Sequence, residues 1–176
     1  AYQKAYGHYN FDKNELVTSN AVYDMASVTK TCATTLAIMK LYDEGKIDLK
    51  KKLGDYLPIT KGTNKEKISI ENLLLHQAGL KAYIPFYKET IDAGGLPLHD
   101  LYRPAFSDSF PVPVADKLFL RNDWRDTIFK RILQSPLNNS EKYVYSDIDF
   151  IFLGKIVESI TGFSLDDYVR KYFYTP

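Results

Sequence analysis

The clearest pattern in the sequence is an apolar stripe at helical spacing between positions 28 and 44. Apolar side chains recur three or four positions apart at Cys32, Ala33, Leu36, Ala37 and Met39. Gly45 follows, at a site where helices commonly end. The pattern therefore predicts a helix from Val28 to Glu44, with the Cys32 thiol buried on its apolar side.

Shorter apolar patterns predict further helices along the chain. Their predicted ranges are 49–57, 70–77, 124–133, 148–160 and 165–173. Ser69 and Ser164 stand at the N-cap positions of two of them, because a serine oxygen can accept the hydrogen bond of a free helical N–H. Pro136 and Gly162 stand where helices 124–133 and 148–160 should end.

Two regions lack a helical pattern. Residues 1–26 alternate weakly between apolar and polar positions and predict a short β-hairpin. Residues 81–122 are interrupted by proline and glycine and predict a long loop, a length that is unusual unless the loop packs over something. With no repeat or linker in view, we expect a single domain over 1–176, divided into regions 1–26, 27–80, 81–122 and 123–176.

Composition narrows the possible functions. A chain of 176 residues with 45% apolar and 26% charged residues is typical of a globular protein. The net charge of +1 argues against a nucleic-acid partner, and no apolar run is long enough to predict a membrane span. His8 and His99 stand outside any ligand spacing, so neither a metal site nor a cofactor is predicted.

The first candidate for chemistry is a Ser-x-x-Lys motif at the start of the strongest helix. Ser27 would lie against free backbone N–H groups, which favour an alkoxide, and Lys30 would follow one turn later on the same face. If its amine is buried and uncharged, Lys30 could act as a general base. The plain alternative is an N-cap serine followed by a solvated lysine, since one such motif is expected by chance.

The second candidate is a Tyr-Ser-Asp sequence just before the helix that starts near Ile148. The Tyr145 phenol could relay a proton between nucleophile and leaving group if nearby lysine charge lowers its pKa. The plain alternative is an N-capping Ser146 or Asp147 behind a packed tyrosine. His76, after three leucines, is expected to be a hydrogen-bonded structural histidine rather than a base.

These motifs and their flanks resemble the serine β-lactamase, penicillin-binding protein and esterase superfamily, in the wording of its class C-like members. The resemblance rests on 23–31 around Ser27, on 73–80, on 145–147 and on the helical segments after them. It implies an α+β, β-lactamase/transpeptidase-like fold, here a helix-rich part with an incomplete antiparallel sheet. A Ser-x-x-Lys signature is known for this class.

The same resemblance implies that Ser27 is acylated by an amide or ester carbonyl, while Lys30 and Tyr145 share the proton transfers. The substrate would be a small molecule or a cell-wall peptide. Half of the oxyanion hole would be the Ser27 N–H, and the other half comes in the family from a strand carrying Lys-Thr-Gly or His-x-Gly. Neither triplet follows Asp147 here, so we expect this chain alone to be inactive and to self-associate through an exposed sheet edge.

One position departs from the family pattern. Asp147 stands where the family has an asparagine that contacts substrate, so Asp147 is a predicted substrate-binding residue with an added charge. The wording also resembles β-lactamase-like domains fused to glycoside hydrolase family three enzymes of Bacteroidetes, which implies a periplasmic or extracellular location. The alternative function is a non-catalytic binding or regulatory module that retains degenerate motifs.

Overall fold

The computed structural model describes residues 2–138 and 142–175, so the two ends of the predicted domain lie outside the described residues. The helices are α1 (Leu36–Asp43), α2 (Leu53–Tyr56), α3 (Ile70–Leu74), α4 (Trp124–Gln134), α5 (Asp147–Thr161) and α6 (Leu165–Val169). Shorter helical turns occur at Lys30–Thr35 before α1, at Pro58–Thr60, at Phe86–Glu89 and at Arg170–Tyr174 after α6. The strands are β1 (Tyr102–Arg103), β2 (Val112–Ala115) and β3 (Leu118–Leu120).

The predicted helix of region 28–44 is confirmed, with one irregularity at its start. Residues Lys30–Thr35 form a π-helical turn, which is wider than an α-helical turn and rotates the side chains relative to the predicted stripe. Thr34 is buried there, whereas Cys32 and Met39 are exposed. The prediction of a buried Cys32 thiol is therefore wrong. Gly45 follows the helix at a φ of +66°, a conformation that glycine adopts without strain.

Helix α5 is the centre of the core. Ser146 caps its first turn by accepting a hydrogen bond from the Ile148 N–H at 3.1 Å, and Gly162 ends it in the left-handed conformation. The apolar residues of its buried face are Ile148, Phe152, Leu153, Ile156 and Val157. These side chains pack against α1, α2, α3 and α6 in one cluster. Burying each large apolar side chain stabilises the fold by roughly 1.5–3 kcal/mol.

Helix α3 positions His76, which lies just after its C-terminal end. Ser69 caps α3 as predicted, accepting a hydrogen bond from the Asn72 N–H at 3.2 Å. The helix ends at Leu74, earlier than the sequence predicts, because His76 has a φ of +55° and turns the chain back. The turn directs His76 toward the first residues of α5.

The region 81–122 contains a small antiparallel sheet that the sequence did not predict. Its strand order is β1-β3-β2, with Pro113 on the edge strand β2, where the missing N–H leaves the ladder intact. Strands of two to four residues are too short to show the alternation from which a strand is predicted. Leu101, Leu120 and Trp124 form a separate apolar cluster beside this sheet.

The predicted hairpin of residues 1–26 is reduced to a single antiparallel bridge. His8 pairs with Leu16, supported by hydrogen bonds from the Tyr9 N–H to the Glu15 carbonyl and from the Val17 N–H to the Gly7 carbonyl, each 3.1 Å. Several large apolar side chains of this segment, including Phe11 and Val22, are exposed. The described residues of the segment therefore lead the chain to the start of the first helix without adding to the core.

Candidate active site

Ser27 lies immediately before the first helical residue, at the end of a tight turn. Ala26 adopts a φ of +42°, and its N–H donates to Asp24 Oδ1 at 2.8 Å. A positive φ in a residue with a side chain is strained, and such strain is typical of functional turns. Among the described residues, no acceptor faces the Ser27 N–H, so this group is open to a carbonyl oxygen that approaches the serine.

Lys30 lies one turn further along and reaches back to the serine. Its Nζ donates to Ser27 Oγ at 3.1 Å, and its side chain is only 14% exposed. The same Nζ lies 2.5 Å from Asp147 Oδ1, an ion pair that joins the two candidate motifs. The structure therefore brings Ser27, Lys30 and Asp147 together, although Asp147 is 117 residues away from Lys30 in the chain.

The charge state of Lys30 differs from the sequence-based expectation of an uncharged amine. Partial burial by itself would lower the pKa of Lys30, but its interactions with Asp147 and Tyr145 outweigh that effect and raise the pKa. A lysine with a raised pKa is charged at neutral pH. The cause is the carboxylate of Asp147, a residue type that the motif alone could not connect to the lysine.

Tyr145 completes the group from the segment before α5. The Lys30 Nζ lies 5.0 Å from the centre of the Tyr145 ring. Interactions with Lys30 first, and with Ser27 second, lower the pKa of the Tyr145 phenol. The phenol is therefore easier to deprotonate than an ordinary tyrosine, as the sequence analysis required for a proton relay. Its side chain is 43% exposed, so solvent reaches it.

Asp147 is the first residue of α5 and is held from both sides. Its N–H donates to the Ala82 carbonyl at 2.8 Å, and its half-exposed carboxylate contacts Lys30. The sequence analysis assigned Asp147 to substrate binding. In the structure Asp147 Oδ1 pairs with Lys30 Nζ, so the charge that Asp147 adds to the site lies next to the charge of the lysine.

Two buried residues lie beneath this group. His76 Nδ1 is 2.7 Å from Asp149 Oδ2, and the His76 ring packs against the Tyr145 ring with 4.7 Å between centres. The expectation that His76 is a hydrogen-bonded histidine agrees with these contacts. Asp149 was missed by the sequence analysis. The available signal was a carboxylate in the otherwise apolar run from Ile148 to Phe152, where an acid is rarely buried without a partner.

The candidate residues lie outside two grooves of the surface. Grooves of about 940 and 600 Å³ occur elsewhere, and Ser27, Lys30 and Tyr145 line neither of them. Met25 and Val28, which flank Ser27, are exposed. Trp124 packs in the cluster beside the small sheet.

In residues 2–138 and 142–175, no three His, Cys, Asp or Glu side chains converge in a way that could hold a metal ion. Within the same ranges, no helix has the length and apolar character needed to cross a membrane.

Comparison with known sequences places the chain among a defined group of proteins. Residues 1–176 match the family model described as Beta-lactamase. A Salmonella paratyphi A protein named "Putative D-alanyl-D-alanine carboxypeptidase" is 33% identical over 189 residues, which covers 99% of this chain and 38% of that protein. A protein of the same name from Salmonella agona is 34% identical, covering 92% of this chain and 33% of its own length. The chain thus spans well under half of these curated relatives.

Solved structures with the same fold belong to similar proteins. FmtA from Staphylococcus aureus superimposes with a TM-score of 0.65 and 24% identity, covering 97% of this chain and 39% of FmtA. A penicillin-binding protein homologue from Pyrococcus abyssi gives a TM-score of 0.61 and 24% identity, covering 95% of this chain and 34% of its own. A class C β-lactamase gives 0.57 and 20%, with 90% and 35% covered. The predicted β-lactamase/transpeptidase-like fold is confirmed.

Proposed function

We propose, from the premise that this chain belongs to the Beta-lactamase family, that it carries the nucleophilic part of a serine hydrolase. In this proposal Ser27 forms an acyl-enzyme with a carbonyl substrate. Lys30 and Tyr145 take part in removing the proton of the Ser27 hydroxyl. The observation that carries the proposal is the contact of Lys30 Nζ with Ser27 Oγ at 3.1 Å, beside a tyrosine whose pKa is lowered.

The charges of the site favour Tyr145 as the group that removes the proton. Because Asp147 and Tyr145 raise the pKa of Lys30, this amine carries its proton already and cannot accept another. The phenol, stabilised as phenolate by that charge, can accept the Ser27 proton while Oγ bonds to the carbonyl carbon. The proton then passes from Tyr145 to the leaving group as its bond to carbon breaks. Water then attacks the acyl carbon and gives its proton to Tyr145. The bond between that carbon and Ser27 Oγ breaks, Oγ takes the proton from Tyr145, and the acid is released.

The oxyanion that forms on the carbonyl needs two donors. The Ser27 N–H supplies one in this proposal, aided by its position at the start of a helix. The second would come from a strand carrying Lys-Thr-Gly or His-x-Gly, and this chain has neither triplet after Asp147. We therefore expect the chain by itself to turn over no substrate, and a longer protein to supply the second donor.

The substrate class follows from the names of the relatives and from the chemistry. Proteins named as D-alanyl-D-alanine carboxypeptidases cleave a peptide bond next to a carboxylate, and the same nucleophile accepts β-lactams and esters in principle. We propose a peptide, β-lactam or ester substrate and a location in the cell envelope. Fusion to a glycoside hydrolase and self-association through a sheet edge stay predictions.

The test is covalent labelling of the full-length protein that carries this chain. We would treat it with a fluorescent penicillin and a fluorophosphonate and look for adducts by intact mass. We expect one adduct, absent in Ser27→Ala and retained in Ser19→Ala, which changes an exposed serine outside the site. No adduct with either probe, or an adduct that survives Ser27→Ala, would contradict the proposal.

The second candidate function is a non-catalytic binding or regulatory module. It is favoured by one observation, the aspartate at position 147 where the family has an asparagine. This candidate predicts that ligands bind reversibly and that neither probe labels Ser27. The labelling experiment therefore separates the two functions directly.

A further inference from the structure

Asp149 is the most deeply buried acid of the site, and the proposed reaction does not use it. Its side chain is 1% exposed and lies in the first turn of α5, two residues after Asp147. Oδ2 faces His76 Nδ1 at 2.7 Å, whereas Oδ1 has no hydrogen-bond partner within the described residues. A buried carboxylate with one bare oxygen is unfavourable, and a neutral carboxylic acid there is much less so.

Two contacts of His76 Nδ1 bear on which group of the pair carries the proton. Nδ1 is within reach of two groups, the Ser146 N–H at 3.2 Å and Asp149 Oδ2 at 2.7 Å. A backbone N–H can only donate, so when the Ser146 N–H is hydrogen-bonded to Nδ1, this nitrogen offers its lone pair and carries no hydrogen. The contact with Asp149 is then attractive only if Asp149 donates, which requires the carboxylic acid.

This pair holds the segment on which Tyr145 stands. The His76 carbonyl accepts the Val144 N–H at 2.9 Å, and His76 Nδ1 accepts the Ser146 N–H, so both neighbours of Tyr145 are bound to one histidine. The imidazole ring also packs against the Tyr145 ring. The position of the phenol therefore depends on the orientation of His76, and Asp149 sets that orientation.

We propose that His76 and Asp149 are positioning residues for Tyr145: Asp149, as a carboxylic acid, donates its proton to His76 Nδ1 and so keeps the phenol aligned with Ser27 and Lys30. The role rests on the proposed acylation of Ser27. It predicts that loss of this proton releases the Ser146 N–H and lets the Tyr145 segment shift. Activity should then fall at alkaline pH for a reason outside the reacting groups.

The surroundings of the pair agree with this proton arrangement. Burial raises the pKa of Asp149 to about 8. Burial, and then the charge of Lys30, lower the pKa of His76, while Asp147 acts weakly in the other direction. Among the described residues, the other titratable groups that face the histidine are the phenols of Tyr143 and Tyr145. The third aromatic ring against His76 is that of Phe150, which is apolar.

The first experiment reads the proton arrangement directly. In the full-length protein, the ring ¹⁵N shifts of His76 report which nitrogen carries hydrogen, with the signal assigned from His76→Gln. We expect a bare Nδ1 at pH 7 and a hydrogen on Nδ1 above the pKa of Asp149. In Asp149→Asn, whose amide donates to Nδ1 at every pH, this change should disappear. A hydrogen on Nδ1 at pH 7 would overturn the proposal.

The second experiment measures the positioning role. The rate of fluorophosphonate labelling of Ser27 is followed from pH 6 to 10 in the wild type, Asp149→Asn and Asp149→Ala. We expect Asp149→Asn to keep the neutral-pH rate within about twofold and to lose the decline above pH 8, while Asp149→Ala is slower by about tenfold or more throughout. Melting temperatures identify any variant that fails to fold, and Asp149→Asn keeps the comparison informative.

The two proposals fail differently. If the wild type labels at Ser27 but Asp149→Asn shows the same alkaline decline, the positioning role is wrong and the hydrolase proposal stands. If the wild type does not label at all, the hydrolase proposal and the role that depends on it both fall, whatever the His76 spectrum shows.

Discussion

Two acids in the first turn of α5 lie in opposite environments. Asp147 is half exposed and pairs with the Lys30 ammonium, whereas Asp149 is buried and faces an imidazole. Both experience the same helix N-terminus, whose positive end favours a negative carboxylate. Since that field is shared, it cannot account for the difference. Burial and the partner do so: Asp149 is held protonated beside a neutral histidine, whereas Asp147 lies beside the Lys30 ammonium.

The comparison explains how one helix start can serve two purposes. The exposed pair places a positive charge next to Ser27 and Tyr145, where a phenolate would form. The buried pair contributes no net charge there and holds the chain that carries the phenol. A second charge beneath the site would compete with the first, so neutrality of the lower pair preserves the effect of Lys30 on Tyr145.

The largest expected effect comes from removing the cation of the exposed pair. In Lys30→Met, the pKa of Tyr145 should rise toward its ordinary value because its main stabilising charge is gone. We expect labelling of Ser27 at pH 7 to fall by about 100-fold or more, the usual contribution of a positioned base. The loss should shrink toward pH 10, where the phenolate forms without help.

The pH dependence of the lost labelling in Lys30→Met shows which group removes the proton. Lys40→Met, which removes a lysine paired with Glu44 on the same helix, should leave labelling unchanged and serves as the control. A loss in Lys30→Met that grows from pH 6 to 10, as more of the wild-type amine loses its proton, would mean that Lys30 itself removes the proton from Ser27. The role given to the exposed pair, stabilising a phenolate at Tyr145, would then be wrong.

The next effect tests the buried pair through stability. Asp149 has a pKa raised from 3.8 to about 8 by burial, so the folded state keeps a proton that the unfolded state releases. The contribution of Asp149 to stability is complete below pH 4 and is lost as the pH rises to 8. The free energy of unfolding should fall by about 1.4 kcal/mol per pH unit in this window, relative to Asp149→Asn.

The measurement is urea unfolding of the full-length wild type and Asp149→Asn at several pH values between 4 and 9. The difference between the two proteins cancels the other acids, whose own titrations act in both. Asp149→Asn should become the more stable protein toward pH 8. Parallel curves with no change in their difference would place a charged Asp149 in the fold and remove the contrast with Asp147.

Much of this arrangement was predictable from local patterns. The helices of 28–44, 124–133 and 148–160 follow from apolar spacing, because each buries one face against the core. Ser27 and Lys30 were predicted to be neighbours because residues three positions apart in a helix share a face. The π-helical turn that begins at Lys30 leaves this contact intact.

The parts that escaped prediction depend on long-range contacts or on very short elements. The Lys30–Asp147 pair joins residues 117 positions apart, so the raised pKa of Lys30 has no local signal. Asp149 at the start of an apolar helix suggests an ordinary helix-capping acid until His76 is seen beside it. Strands β1 and β3 have two and three residues, fewer than the roughly four over which alternation indicates a strand.

The smallest effect is expected from neutralising the exposed acid. Asp147→Asn introduces the asparagine that the family resemblance implies and removes an ion pair whose carboxylate is half exposed, so the midpoint of urea unfolding should fall only slightly. The pKa of Lys30 should fall because its first stabilising partner is lost.

Without the Asp147 carboxylate, the Lys30 ammonium leaves more net positive charge in the site. Labelling by a penicillin, which carries a carboxylate, should therefore increase relative to labelling by a neutral fluorophosphonate, since only the former gains from that charge. Equal changes with both probes would show that Asp147 acts on Ser27 itself, and the exposed pair would then have no part in choosing the substrate.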